Sequence, residues 1–455
     1  MALLLRLLLL ASALAIAVLP AALSRNLHSA TQDGSAAGST AGPSSATKTI
    51  VVLGDSLSDT GNLFNQTRGV VPNPGAYWRG RFSSGPNWVD HLAQIANTGS
   101  NASVTVLNYA YGGATACANV PGTSRTIPSL SEQLNMFLAR ETTEGASPSA
   151  AATFAASTRT SRLKLYKGRS AADSDGGPLC QMPAWPQAKP SADSDDGGDD
   201  SERLFVVFVG HNDLLSLHDS EWNDPRVVQA AVTNMTYCIV DVLDRLMASL
   251  TQQRQQQKAR QQYQLLPDAD SDDPSSPFLA AGDADTVTLT GPRDRVVLWN
   301  LAPLETAPAV PDAIRPKVAT AVATANLALE AMLTPLRARY GASGGPGGPN
   351  AGRDNGWLSL DLYDIHGTCF CAQHHTAKYG FRNASQYCVH VDRVEDVDGI
   401  SVAARLTRVS AVAQRDNVCS RPEDCLWYDS LHPTSLAQRL AFAEPFARQL
   451  GWQLG

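Results

Sequence analysis

Ser56 stands in the stretch Gly54-Asp55-Ser56-Leu57, directly after the apolar run Thr49-Ile50-Val51-Val52-Leu53. Near the other end of the chain comes Asp429-Ser430-Leu431-His432-Pro433. A serine hydroxyl, an imidazole and a carboxylate are the parts of a nucleophilic acyl-transfer site: one attacks, one takes the proton, one orients the base. A strand that runs straight into a turn delivers the turn's side chains to the carboxyl edge of a parallel sheet, where open α/β folds bind ligands. A helix opening after that turn would offer N-terminal amides to developing negative charge. Asp429 lies three residues before His432, so one turn of chain can aim its carboxylate at the imidazole and set the tautomer.

The elements that must hold these groups are legible as periodic patterns. From residue 48 onward, short apolar runs alternate with longer helical stretches, which predicts βαβ units and a parallel sheet. Strands are expected at 49–53, 103–107, 204–209, 295–299 and 357–362, and helices at 87–96, 130–139, 225–262, 316–340 and 434–450. Val227, Ala231, Met235, Ile239, Leu243, Leu246 and Leu250 recur at three- and four-residue steps, the mark of one apolar helix face. Two segments break the rhythm. Residues 141–202 are dominated by Ala, Ser, Asp and Gly, and 252–291 begin Gln-rich and become Asp/Ser-rich. Neither carries enough large apolar side chains to offset its ordering entropy, so both read as disordered insertions looping out of the core. The Gly/Pro-rich stretch 341–352 reads as a flexible connection.

Several motifs in order point to a family. Gly54-Asp55-Ser56-Leu57-Ser58-Asp59-Thr60-Gly61-Asn62 resembles the first block of the GDSL lipases, the SGNH hydrolases. Gly80-Arg81-Phe82-Ser83-Ser84-Gly85-Pro86-Asn87-Trp88 resembles the stretch after it, and Asn108-Tyr109-Ala110-Tyr111-Gly112-Gly113-Ala114-Thr115 the second block. Gly210-His211-Asn212-Asp213 is similar to the third, and Asn300-Leu301-Ala302-Pro303-Leu304 to the Asn-Leu-Pro-Pro-Leu that follows a later strand, with Ala302 departing from it. Tyr379-Gly380-Phe381 with Cys388 resembles a segment of plant-type secreted members, and Trp427 through Thr434 the final D-x-x-H-P-T block. The resemblance implies one α/β domain over 48–455, a flavodoxin-like parallel sheet flanked by helices. It implies Ser56 as nucleophile, His432 as general base and Asp429 as its orienting partner. The oxyanion donors would be the Ser56 amide, the Gly113 amide and the Asn212 side chain. Gly113 follows from ungapped spacing after Asn108, and Gly112 stays open as the alternative. The order Ser, Asp, His is shared with α/β-hydrolases, but their G-x-S-x-G elbow is missing around Ser56. The implied activity is hydrolysis of carboxylic esters with no metal and no other cofactor. A carbohydrate O-acetyl esterase with the same site and a non-catalytic secreted binding protein are the competing readings.

Composition narrows the setting. A net charge of -7 without a basic cluster argues against nucleic acid or an anionic membrane as partner. Arg6, an apolar stretch over 7–19 and the small residues Ala21, Ala22 and Ser24 form the pattern of a signal peptide over 1–24. An uncleaved membrane anchor is the alternative, disfavoured by the shortness of that stretch, so no stable membrane insertion is expected. Residues 25–47 suit a Ser/Ala/Gly-rich linker. The expected address is extracellular, with cell-wall association as a variant. Cysteines 117, 180, 238, 369, 371, 388, 419 and 425 agree with an oxidising compartment, and their even number permits complete pairing. A Cys419–Cys425 bridge would close a small loop just before the His432 segment. N-x-S/T sequons begin at Asn65, Asn101, Asn234 and Asn383. The acidic run at 193–200 lacks the EF-hand pattern and reads as a solvated loop. Cys369, Cys371, His374 and His375 superficially suggest zinc, but disulfides explain cysteines of an exported protein better. Asp213 and Asp55 are expected to brace backbone, His218 and His366 to be surface or packing residues, and Trp78, Trp88, Tyr111 and Trp427 to pack in the core, with acyl-pocket walls as the alternative.

Overall fold

Five parallel strands build the central sheet in the computed structural model: β1 (Thr47–Gly54), β2 (Ser103–Asn108), β3 (Glu202–Phe208), β4 (Arg293–Trp299) and β5 (Leu358–Tyr363). Their spatial order is β2-β1-β3-β4-β5, the flavodoxin-like arrangement. The described residues are 47–98, 103–121, 123–124, 126–144, 201–264, 293–341, 357–391 and 401–454. The inner strands are apolar without alternation because helices cover both sheet faces. Ile50 to Leu53, Leu204 to Phe208 and Val296 to Trp299 are accordingly all buried. In the register, Ile50 lies between Val106 on β2 and Leu204 on β3. Every expected strand is present, with ends shifted by at most two residues.

The helices are α1 (Asn62–Gln66), α2 (Trp88–Thr98), α3 (Leu130–Glu144), α4 (His211–Leu215), α5 (Pro225–Gln264), α6 (Arg315–Tyr340), α7 (Ile365–His374) and α8 (Val402–Val412). A C-terminal helical run then joins Ser435–Ala437, a π-helical stretch Gln438–Ala443 and Glu444–Gln449. Residues 87 and 434, expected as helix starts, are caps: the Asn87 side chain accepts from Val89 N at 3.1 Å, and Thr434 Oγ1 from Ala437 N at 3.3 Å. The helix expected after the Ser56 turn opens only at Asn62, as α1, while α4, α7 and α8 are additional to the sequence reading. They are five to eleven residues long, too short to show periodicity, and local caps such as Asp364 and Ser401 start two of them. Helix α6 is long and apolar enough to span a membrane by composition, yet Val318, Val322, Leu329 and Leu333 on it are buried in the core.

The insertions begin later than composition suggests. Helix α3 continues to Glu144 and β3 resumes at Glu202, so the described residues leave out 145–200 of the first insertion. Helix α5 carries through the Gln-rich start of the second to Gln264, because Gln and Arg are good helix formers on an exposed face. The signal-peptide pattern, the linker up to residue 46, the acidic run and 342–356 lie outside the described residues.

The complete pairing that the even cysteine count permits is not reached. Cys117 bonds to Cys238, Cys388 bonds to Cys419, and Cys371 is also disulfide-bonded, whereas Cys369 and Cys425 are free thiols. The Cys419–Cys425 bridge is therefore not formed. Cys419 N donates to Cys388 O at 2.9 Å and Val389 pairs with Val418, which lays those two cysteines side by side. Cys425 instead opens strand β7 (Cys425–Trp427), which pairs with β6 (Asn383–Tyr387).

The end of β1 is pinned from outside the sheet. Fully buried Gln133 accepts from Gly54 N at 2.8 Å and donates to Gly54 O at 2.9 Å. A Cβ on Gly54 would meet Phe208 O at 2.6 Å, so the glycine is required for this close approach. Replacing Gln133 by Leu leaves the Gly54 N–H buried and unpaired. We expect a loss of about 1–3 kcal/mol in denaturant unfolding; wild-type stability would show that the pin is dispensable.

Candidate active site

Ser56 sits two residues beyond β1, at the carboxyl edge of the sheet where the order turns from β2 to β3. The turn is shaped by Asp55: its carbonyl accepts from Ser58 N and Asp59 N, and its carboxylate accepts from Leu57 N at 3.0 Å. Ser56 is largely buried, and its amide N–H has no partner among the described residues.

The histidine arrives on a tight hairpin. Trp427 pairs with Pro433, and Tyr428 N donates to His432 O at 2.7 Å, so Asp429 and His432 face each other across the tip. The Asp429 carboxylate accepts from Leu431 N at 2.9 Å and His432 N at 2.7 Å, and lies 2.8 Å from His432 Nδ1. An ionised carboxylate only accepts, so Nδ1 carries the proton and Nε2 is left as a base. That Nε2 lies 2.8 Å from Ser56 Oγ, across 376 residues of sequence. Burial works to raise the Asp429 carboxyl, but attraction to His432 and these hydrogen bonds outweigh it and hold the group below the usual carboxylate range. The Phe82 ring, 5.0 Å from the imidazole, packs against it. All three side chains named from sequence are thus brought into one hydrogen-bonded line, which can move a proton from a hydroxyl to an imidazole.

The remaining expected groups surround that line. Asn212, on α4 just after β3, donates from its side-chain nitrogen to Ala114 O at 2.9 Å. Gly112 and Gly113 differ in a way spacing does not reveal. The Gly112 N–H is spent on Asp59 at 2.8 Å, and a Cβ there would strike the Phe82 ring at 2.4 Å. The Gly113 N–H has no partner among the described residues, and its φ of 81° is one that glycine adopts readily. Asp213 accepts from Ala116 N at 2.8 Å, the backbone-bracing part expected of it. Burial pushes its carboxyl up to about 7.

Sequence reasoning missed three residues. Tyr77 is buried and donates its hydroxyl to Asp429 Oδ2 at 2.8 Å. Asp59 gathers the N–H groups of Gly61, Asn62, Leu63 and Gly112 and so fastens the first block to the second. His211 bonds Asp55 at 3.0 Å. The aromatic-rich segment containing Tyr77 offered the only local hint. Of the metal-suggestive run, Cys371 is in a disulfide and Cys369 is a buried thiol, while His374 stacks on Phe370.

A five-stranded parallel sheet flanked by helices, with a serine after its first strand and a carboxylate–imidazole pair on a late hairpin, is consistent with the α/β SGNH hydrolase fold. Residues 50–250, somewhat less than half of the chain, match the family model described as GDSL-like Lipase/Acylhydrolase. Over 69 residues, 15% of this chain and 19% of the relative, the chain is 45% identical to a phosphatidylcholine-sterol acyltransferase of Aeromonas hydrophila. It is 43% identical over 65 residues, 14% of either chain, to a thermolabile hemolysin of Vibrio parahaemolyticus. A secreted effector protein of Salmonella typhimurium shares 37% identity over 70 residues, 15% of this chain and 16% of its own. The chain thus spans less than a fifth of the length of each of these relatives.

Two measurements follow from this geometry. Tyr77→Phe removes one charge-assisted hydrogen bond to Asp429, worth about 1.5–3 kcal/mol. We expect roughly a tenfold or greater fall in ester-hydrolysing kcat/KM; unchanged kinetics would show that Asp429 holds its place without the phenol. Asp213 keeps its proton more tightly when folded than in an unfolded chain, where aspartate titrates near about 4. Its contribution to stability therefore falls as pH rises from about 4 to about 7. Asp213→Asn should flatten that part of the thermal-stability profile, and an unaltered profile would rule the group out.

Proposed function

We propose that this protein is an exported serine hydrolase of carboxylic esters. The observation that carries the reading is the continuous line from Ser56 Oγ through His432 to Asp429. Ser56 Oγ attacks the ester carbonyl carbon as His432 Nε2 takes the hydroxyl proton. The amides of Ser56 and Gly113, with the Asn212 side chain, stabilise the resulting oxyanion. Collapse breaks the bond to the alcohol, which leaves with the proton from His432, and water then repeats the sequence on the acyl-enzyme. Asp429 orients the imidazole and balances its transient charge.

The pocket at Ser56 favours an acyl chain over a sugar. It is walled by Leu304, Ala307, Cys369, Ala372, Ala441 and Phe442. Such walls match alkyl carbon and leave a sugar's hydroxyls unpaired. The phosphatidylcholine-sterol acyltransferase relative favours a second outlet for the same acyl-enzyme, transfer to an alcohol in place of water. The N-terminal pattern and the disulfides support export.

Purified protein from a secreting host is to be assayed on p-nitrophenyl acetate, butyrate and palmitate beside Ser56→Ala. We expect turnover to vanish in the variant and kcat/KM to rise from acetate to butyrate, by up to about fourfold per buried methylene. Undiminished turnover in Ser56→Ala would end the proposal. A preference for acetate would return the weight to a carbohydrate O-acetyl esterase. Adding an alcohol and measuring the transferred ester decides between hydrolysis and transfer.

A further inference from the structure

Two aspartate–histidine pairs flank Ser56, and only one of them can act as a base. In the pair described above, His432 Nε2 faces the serine. In the other, His211 has both ring nitrogens occupied: Nδ1 lies 3.0 Å from Asp55 Oδ2, and Nε2 accepts from Ala302 N at 3.1 Å. Since a backbone N–H donates to Nε2, that nitrogen bears no proton, and Nδ1 must be the one donating to Asp55. The ring is buried and packs edge-on against Phe208 at 5.0 Å. It is therefore unavailable for proton transfer with substrate.

What His211 joins is more telling. Asp55 shapes the turn from which Ser56 projects, through its bond to Leu57 N. Asn212, the adjacent residue, is the side-chain donor placed by its bond to Ala114 O. Ala302 leads into Pro303 and Leu304, which wall the pocket. These three segments follow β1, β3 and β4, and among the described residues no backbone hydrogen bond joins one of them to another beyond the strand ends.

Building on the serine-hydrolase reading, we propose that His211 is a positioning residue: its imidazole bolts the nucleophile turn, the oxyanion-donor helix and the pocket wall into one frame. The bolt works through two directed hydrogen bonds, and Phe in its place would keep the ring packing while removing both. A purely packing role predicts that Phe suffices.

The test uses the full-length protein on p-nitrophenyl butyrate, with Ser56→Ala as control. If wild type does not depend on Ser56, the parent reading fails; the His211 result is scored only on Ser56-dependent turnover. We expect His211→Phe, checked as folded by circular dichroism, to lose about 10- to 100-fold in kcat, with KM changed less than about threefold. Asp55→Asn, which keeps an oxygen for Leu57 N, should cost little more when added to it, because the His211 bond it disturbs is already lost, whereas independent roles would multiply. His211→Asn, which keeps a donor toward Asp55, should recover part of the loss. Wild-type kcat in His211→Phe, or multiplying losses in the double variant, would overturn the proposal. Should the variants not fold, ¹⁵N-histidine spectra of the wild type decide: His211 protonated at Nδ1 with an unprotonated Nε2 supports the bolt, and any other state refutes it.

Discussion

Buried carboxylates are the constraint on which the site depends. An ionised carboxylate out of water is costly unless every lone pair finds a donor. Here the donors are mostly backbone N–H groups of loops that no strand holds. Asp55 takes Leu57, Asp59 takes four amides from two blocks, Asp213 takes Ala116, and Asp429 takes Leu431 and His432. Each loop is thereby fixed by a buried carboxyl group it cannot leave without stranding that group's oxygens. The arrangement turns a desolvation cost into a positional device, which suits a site whose donors must stand ready before the reaction begins.

The same constraint decides which groups stay available. Asp59 consumes the Gly112 amide, while that of Gly113 has no partner among the described residues. Asp55 and Ala302 consume both nitrogens of His211, while His432 keeps Nε2 for Ser56. Availability in this pocket is what remains after structural bonds are satisfied. The apolar walls contributed by α7 and the π-helical stretch then exclude water around the groups left over.

A small satellite core supports the hairpin from behind. Tyr77, Cys388, Val389, Val409, Ala413 and Tyr428 pack together there, and Cys388 N and Val389 N both donate to Tyr428 O. Tyr77 and Tyr428 meet edge to face at 5.5 Å. The Cys388–Cys419 bridge thus stiffens the segment one residue away from Asp429, and Tyr77 reaches the carboxylate itself from that core.

The sequence alone determined the strands, the long helices and the three side chains that meet at the site. Those features have local causes: β-branched runs, three- and four-residue apolar spacing, and turn chemistry around Gly54 and Pro433. The tertiary structure alone decided that Cys419 pairs with Cys388 and leaves Cys425 free, that Gly112 is spent, and that Tyr77 bonds Asp429 and His211 bonds Asp55. Each of these rests on partners far apart in the chain, such as Tyr77 and Asp429 at 352 residues or His211 and Asp55 at 156. No local pattern encodes such a contact, because a hydrogen bond is specified by the meeting of two surfaces and not by either segment's own periodicity.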